Sequence, residues 1–150
     1  MSIFYEIIDN VATDVNTVLT PFGVPVSIRR RNVYQQTIDP LPVCIVSPGD
    51  SEELRDMDFD KGTTWLYPVI INLIYPDNRN NDLAADAQEY LDIREAIRDQ
   101  IFYPLLANVP EVWDVELDGT KPFTTVDQKS TYSSTQWIVK FKAKTDRRSI

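Results

Sequence analysis

The strongest run of hydrophobic positions lies at residues 64–75, where Trp65, Tyr67, Val69, Ile71, Leu73 and Tyr75 alternate with Leu66, Ile70 and Ile74. Side chains alternate between the two faces of a strand, and β-branched and aromatic residues suit a pleated surface, so this run predicts one long β-strand. Both faces are largely apolar, as in a strand internal to a sheet. Pro68 lacks a backbone donor and Asn72 interrupts the second face. The expectation is therefore a strand whose first part runs beyond its neighbours and whose second part is central. After a polar turn at 76–82 the period changes to that of a helix. Ala87, Tyr90 (or Leu91), Ile97 and Ile101 fall on one stripe, with Ile93 and Leu105 flanking it. Asp86, Gln88, Glu89, Asp92, Arg94, Glu95, Arg98 and Asp99 fill the opposite face. Pro104 disfavours helix at Tyr103 and should end or kink it there.

The remaining patterns are shorter. Residues 2–19 place Ile3, Ile7, Val11, Val15 and Val18 on one helical face, and Thr20-Pro21-Phe22-Gly23 stops that helix. Residues 24–31 alternate as a strand with Val24, Val26 and Ile28 on one side, ending in the basic run Arg29-Arg30-Arg31. A short apolar strand follows at 41–46. Residues 111–117 set Trp113, Val115 and Leu117 against Val112, Asp114 and Glu116, with the tryptophan expected in the core. Residues 137–145 put Trp137, Val139, Phe141 and Ala143 inward and Lys140, Lys142 and Lys144 outward. Extended polar loops are expected at about 47–64 and 118–135. The predicted order is α-β-β-β-α-β-β: an α+β domain spanning 1–150, with a mainly antiparallel sheet of about five strands and both helices on one face.

Composition narrows the chemistry. Across 150 residues the formal net charge is −8, which argues against a broad grip on nucleic acid. There is no histidine, so the commonest general base and metal ligand are missing. The single Cys44 lies in an apolar run, and neither a disulfide nor zinc is expected. No apolar stretch approaches the ~20 residues that span a bilayer, and no signal peptide follows Met1, so synthesis in the cytosol is expected. Asp56-Met57-Asp58-Phe59-Asp60-Lys61-Gly62 alternates carboxylates like a calcium loop. It carries Lys61 where an EF-hand needs glycine and Tyr67 where it needs a bidentate glutamate. No phosphate-binding, dinucleotide or nucleophile motif is present, so no catalytic residue, metal or cofactor is expected.

The long strand and helix of residues 64–106, the final strand ending Trp137-Ile-Val-Lys-Phe-Lys-Ala-Lys, and the opening amphipathic helix with its polar excursion together resemble the tail terminator (tail-completion) proteins of tailed bacteriophages. The resemblance covers nearly the whole chain in order and length and rests on no single motif. Neck and head–tail connector proteins are similar at this level. The resemblance implies a non-enzymatic virion protein: a ring, usually of six, that caps the tail tube, ends its polymerisation and offers a docking face to the head connector. It also implies that DNA passes through the lumen without specific binding. Of other classes, a small adaptor binding a partner at a sheet edge is the main alternative, and a small hydrolase is disfavoured by the missing histidine.

On this reading the opposed charges of the chain suit a contact between subunits or with a partner. The acidic side comprises Asp50, Glu52, Glu53, Asp56, Asp58 and Asp60, interleaved with Leu54, Met57 and Phe59. The basic side comprises Arg29, Arg30 and Arg31 together with Lys140, Lys142 and Lys144. Heterologous contacts between unlike patches generate rings.

Overall fold

A computed structural model describes residues 2–31, 42–58, 62–76, 83–101, 109–117, 125–129 and 132–145. Helix α1 (Ile3–Leu19) is opened by Ser2, whose side-chain oxygen accepts the Tyr5 amide at 3.1 Å. A short 3₁₀ turn (Thr20–Phe22) then ends on Gly23, which takes the left-handed conformation at φ 69° that glycine adopts without steric cost. Strand β1 (Val26–Ile28) follows, then β2 (Val43–Pro48), β3 (Glu53–Asp58) and the long β4 (Gly62–Pro76). Helix α2 (Leu83–Ile101) leads to β5 (Val112–Leu117), β6 (Thr125–Lys129) and the long β7 (Tyr132–Thr145).

The α+β class and the order of the predicted elements hold, and among the described residues the sheet has seven strands instead of about five. Both additional strands fall where polar loops were expected: β3 lies in the 47–64 excursion and β6 in 118–135. The sheet is built on β4 and β7, which pair antiparallel from Thr63↔Thr145 to Pro76↔Tyr132. Each of these long strands has an outer edge shared by two short ones. Along β4, β3 covers Gly62 to Leu66 and β2 covers Val69 to Ile74. Along β7, β6 covers Tyr132 to Gln136 and β5 covers Val139 to Ala143. Strand β1 pairs parallel to β2, the one parallel pairing among the described residues. It is shorter than the 24–31 run predicted, and Ile28 is exposed instead of inward.

This division of the edge accounts for Pro68, and it corrects the expectation that β4 begins beyond its neighbours. Gly49, just past β2, donates its amide to the Pro68 carbonyl at 2.8 Å. The carbonyl of Pro68 therefore faces the junction between β2 and β3, and its missing N–H would face the same gap. A side chain on Gly49 would meet the Pro68 Cβ at 2.7 Å, so the corner requires glycine because of proximity.

Both helices cover the odd-numbered face of β4. Tyr67, Val69, Ile71, Leu73 and Tyr75 form one buried cluster with Ile7, Val11 and Val15 of α1, Ile93 and Ile97 of α2, and Trp137, Val139 and Phe141 of β7. Phe4 tilts against Tyr67, with ring centroids 5.1 Å apart, and Tyr90 stacks on Tyr75 at 5.0 Å. The Tyr90 hydroxyl and the fully buried Thr135 hydroxyl share a short hydrogen bond, so the polar tip of the tyrosine is satisfied inside the core. In α2, Ile93 and Ile97 carry the buried stripe, whereas Ala87 and Leu91 are exposed. The Ile101 side chain and Leu105 lie outside the described residues. Asn72, the polar interruption on the other face, accepts the Ser134 hydroxyl at 2.5 Å from the adjacent strand.

Candidate assembly surface

The even-numbered face of the sheet carries a layer of charge at the end where β3, β4, β7 and β5 lie side by side. One row across these strands reads Glu53, Leu66, Lys142, Asp114, and the next pairs Lys140 with Glu116. Lys140 Nζ lies 3.4 Å from Glu53 Oε2, and Lys142 Nζ lies 3.5 Å from Asp114 Oδ2 and 3.9 Å from Glu116 Oε2. Arg55 reaches from β3 across both long strands to Glu116 on β5, at 2.5 Å. Three acids thus meet three bases among the described side chains of this patch. Leu66 lies in the midst of these groups and is fully buried. Long cationic side chains keep their heads in water while their stems cover apolar surface, which suits this position.

The lysines of β7 point away from the helices as their alternation requires. Lys140 and Lys142 nevertheless have partners within their own sheet, and Glu53 of the acidic segment supplies one of them. Lys144 is exposed. Asp50 and Glu52 are exposed ahead of β3, and Leu54 on β3 is 49% exposed. Asp56, Met57 and Asp58 belong to β3 through their backbone, while Phe59 and Asp60 lie outside the described residues. The Arg29 amide donates to the Val46 carbonyl at 3.0 Å, which places the basic run at the end of β1 beside β2. Arg30 and Arg31 are exposed there. Among the described residues the Lys140–Glu53 pair joins the basic set to the acidic one within one molecule.

One expectation about the tryptophans is overturned. Trp137 is buried in the core, but Trp113 is 53% exposed. The ladder between β5 and β7 shifts register between Val112 and Asp114, so Trp113 is the extra residue of a β-bulge. Strict alternation then breaks: Val112 turns inward and Trp113 turns out, with Lys142 Nζ 5.5 Å from its ring centroid. An alternating pattern contains no sign of a bulge, and only the pairing partner reveals it.

Among the described residues no group of Cys, Asp and Glu is arranged to hold a metal ion, and the alternating carboxylates at 56–60 fall where side chains are not described. Burial pushes the Cys44 thiol up to about 12 and raises Asp14 above the usual carboxylate range. A cavity of about 400 Å³ between α2 and β7 is lined by Leu91, Arg94, Glu95, Arg98 and Trp137. Among the described residues that line it there is no pair of groups placed as nucleophile and base. Among the described residues no helix is long and apolar enough to cross a membrane.

No protein-family model matches the chain, and no curated protein matches it. Among solved structures, a chain from the "Virion of native gene transfer agent (GTA) particle" is similar to it, with a TM-score of 0.55 and 14% sequence identity. The similarity spans 90% of this chain and 92% of that one. At this identity the two share a fold, extending over almost the full length of both.

Proposed function

We propose that this protein is a structural component of a phage-like virion that forms a ring, most simply of six copies, on the end of the tail tube. There it ends tube polymerisation and presents the face to which the head's connector joins. The observation that carries the reading is the fold it shares, over nine-tenths of its length, with a chain from a gene transfer agent virion. The resemblance to tail terminators in element order supports the finer role. On this reading the protein acts by shape and valence and carries out no reaction. Its partners are further copies of itself, the tube protein and the head connector, and DNA crosses its lumen without sequence-specific contact.

A position in the neck, as a head–tail connector or head-completion protein, is the second reading, because the same shared fold supports it. Electron microscopy of particles assembled without this protein separates the two. A tail terminator's absence gives tails of uncontrolled length and no joined particles. A neck protein's absence gives tails of normal length that stay unjoined. Normal, joined particles would refute both.

A further inference from the structure

Strands β2 and β3 share the outer edge of β4 but are anchored to it differently. β2 pairs from Val43↔Ile74 to Pro48↔Val69 without a break in register, and Val43, Cys44, Ile45, Val46 and Ser47 are all buried. Strand β1 covers its other side. The β3 ladder to β4 is broken by a register shift between Leu54 and Asp56. Of the β3 side chains that are described, Glu53 is half-buried and Leu54 and Arg55 are exposed, and none belongs to a buried apolar cluster. Among the described residues β4 is the one strand beside it. The corner that precedes β3 is held, because the Gly49 amide donates to the Pro68 carbonyl at 2.8 Å. Between that corner and β3, Asp50, Ser51 and Glu52 are exposed.

Beyond the backbone ladder, the described side chains of β3 hold to the sheet by charge. Glu53 pairs with Lys140 of β7 at 3.4 Å, and Arg55 pairs with Glu116 of β5 at 2.5 Å. All four side chains are partly exposed, so each pair is weak and is screened by salt. When Arg55 leaves, Glu116 keeps Lys142 at 3.9 Å, so the acid on β5 is not stranded. Segments that bury few apolar side chains open locally at low free energy, while the core around them stays folded. We propose that β3 is a strap, latched by the Glu53–Lys140 and Arg55–Glu116 pairs, that opens from β4 as a unit while β2, β4 and β7 stay closed. Opening unpairs the β4 edge from Gly62 to Leu66 and leaves the β4–β7 ladder intact from Thr63 to Pro76. One end of the sheet thus changes shape without unfolding the core. The device belongs to the single chain and does not depend on the ring proposed above.

Native-state hydrogen exchange of the full chain, followed residue by residue by NMR, tests the strap. The β3 amides that bond to β4 should be at least ~10-fold less protected than those of β2, because they exchange through local opening. Raising the salt from low ionic strength to 1 M should lower β3 protection a further ~3–30-fold, since each exposed pair is worth up to a factor of about five and both are screened. Protection of β2 should not change with it. Arg55→Gln removes one latch on the surface. It should lower β3 protection already at low salt, shrink the salt dependence and leave β2 as it was. Equal protection of β3 and β2 would overturn the proposal, because β3 would then open only with the whole sheet. So would β3 protection that ignores salt, or that falls in step with β2 in salt or in the Arg55→Gln variant.

Discussion

Replacing Ile97 with alanine tests whether the buried stripe of α2 is what holds the helix on the sheet. Ile97 is fully buried, in one cluster with Ile93, Val69, Ile71, Leu73 and Trp137. The substitution deletes three carbons, and at about 0.8 kcal/mol each their transfer from water accounts for about 2.4 kcal/mol. That figure is the floor if the site collapses completely; a cavity that persists raises the loss toward ~5 kcal/mol. Collapse is restricted here because Ile97 sits between a helix and a sheet whose strands are fixed by their ladders. Leu91 on the same helix is 53% exposed, so Leu91→Ala provides the control, with an expected loss below about 0.5 kcal/mol. Urea unfolding followed by far-UV circular dichroism measures both, and an unchanged slope shows that the midpoint reports stability. A loss below about half a kcal/mol for Ile97→Ala, or a larger loss for Leu91→Ala, would mean that α2 presents a different face to the sheet.

Other perturbations probe separate parts of the molecule. Gly49→Ala puts a Cβ 2.7 Å from the ring of Pro68, and thermal melting should show a loss of ~1–3 kcal/mol; wild-type stability would mean the corner between β2 and β3 can shift freely. Glu116→Gln removes the acid that holds Arg55 and Lys142, groups that are partly exposed, so it should cost no more than ~1 kcal/mol and the difference should fade in 1 M salt. A salt-independent loss would mean that packing and not charge holds β3 in place. The Cys44 thiol, pushed up to about 12, should resist thiol reagents at pH 8 until the chain unfolds, and rapid labelling of native protein would contradict its burial. Because its folded value lies above its unfolded one, Cys44 contributes stability that is full below about pH 8.5 and lost as pH rises toward 12, which base titration of Cys44→Ala against wild type would reveal.

The long strand, the two amphipathic helices and the inward face of β7 were legible from the sequence because period alone fixes them. An odd-numbered run from Tyr67 to Tyr75 and stripes such as Ile7, Val11 and Val15 admit one geometry each. The resemblance to phage tail proteins was carried by the same order of elements and needed no site residue. Pairing decided what period could not. Strand β3 hides among six acids within 50–60 because an edge strand buries little, and its ladder to β4 takes the place of an apolar pattern. Trp113 reads as core by alternation and is exposed because one residue of β5 is extra relative to β7, a fact that exists only between two strands. Pro68 became intelligible once Gly49 showed that the edge it faces is the junction of two short strands. The charges divide in the same way: sequence assigned Lys140 and Lys142 to the outward face, but only the folded sheet brought Glu53, Asp114 and Glu116 to them. Local periodicity follows from the geometry of a single segment. Register, bulges and ion pairs are relations between segments distant in the chain, and they arise only when the sheet assembles.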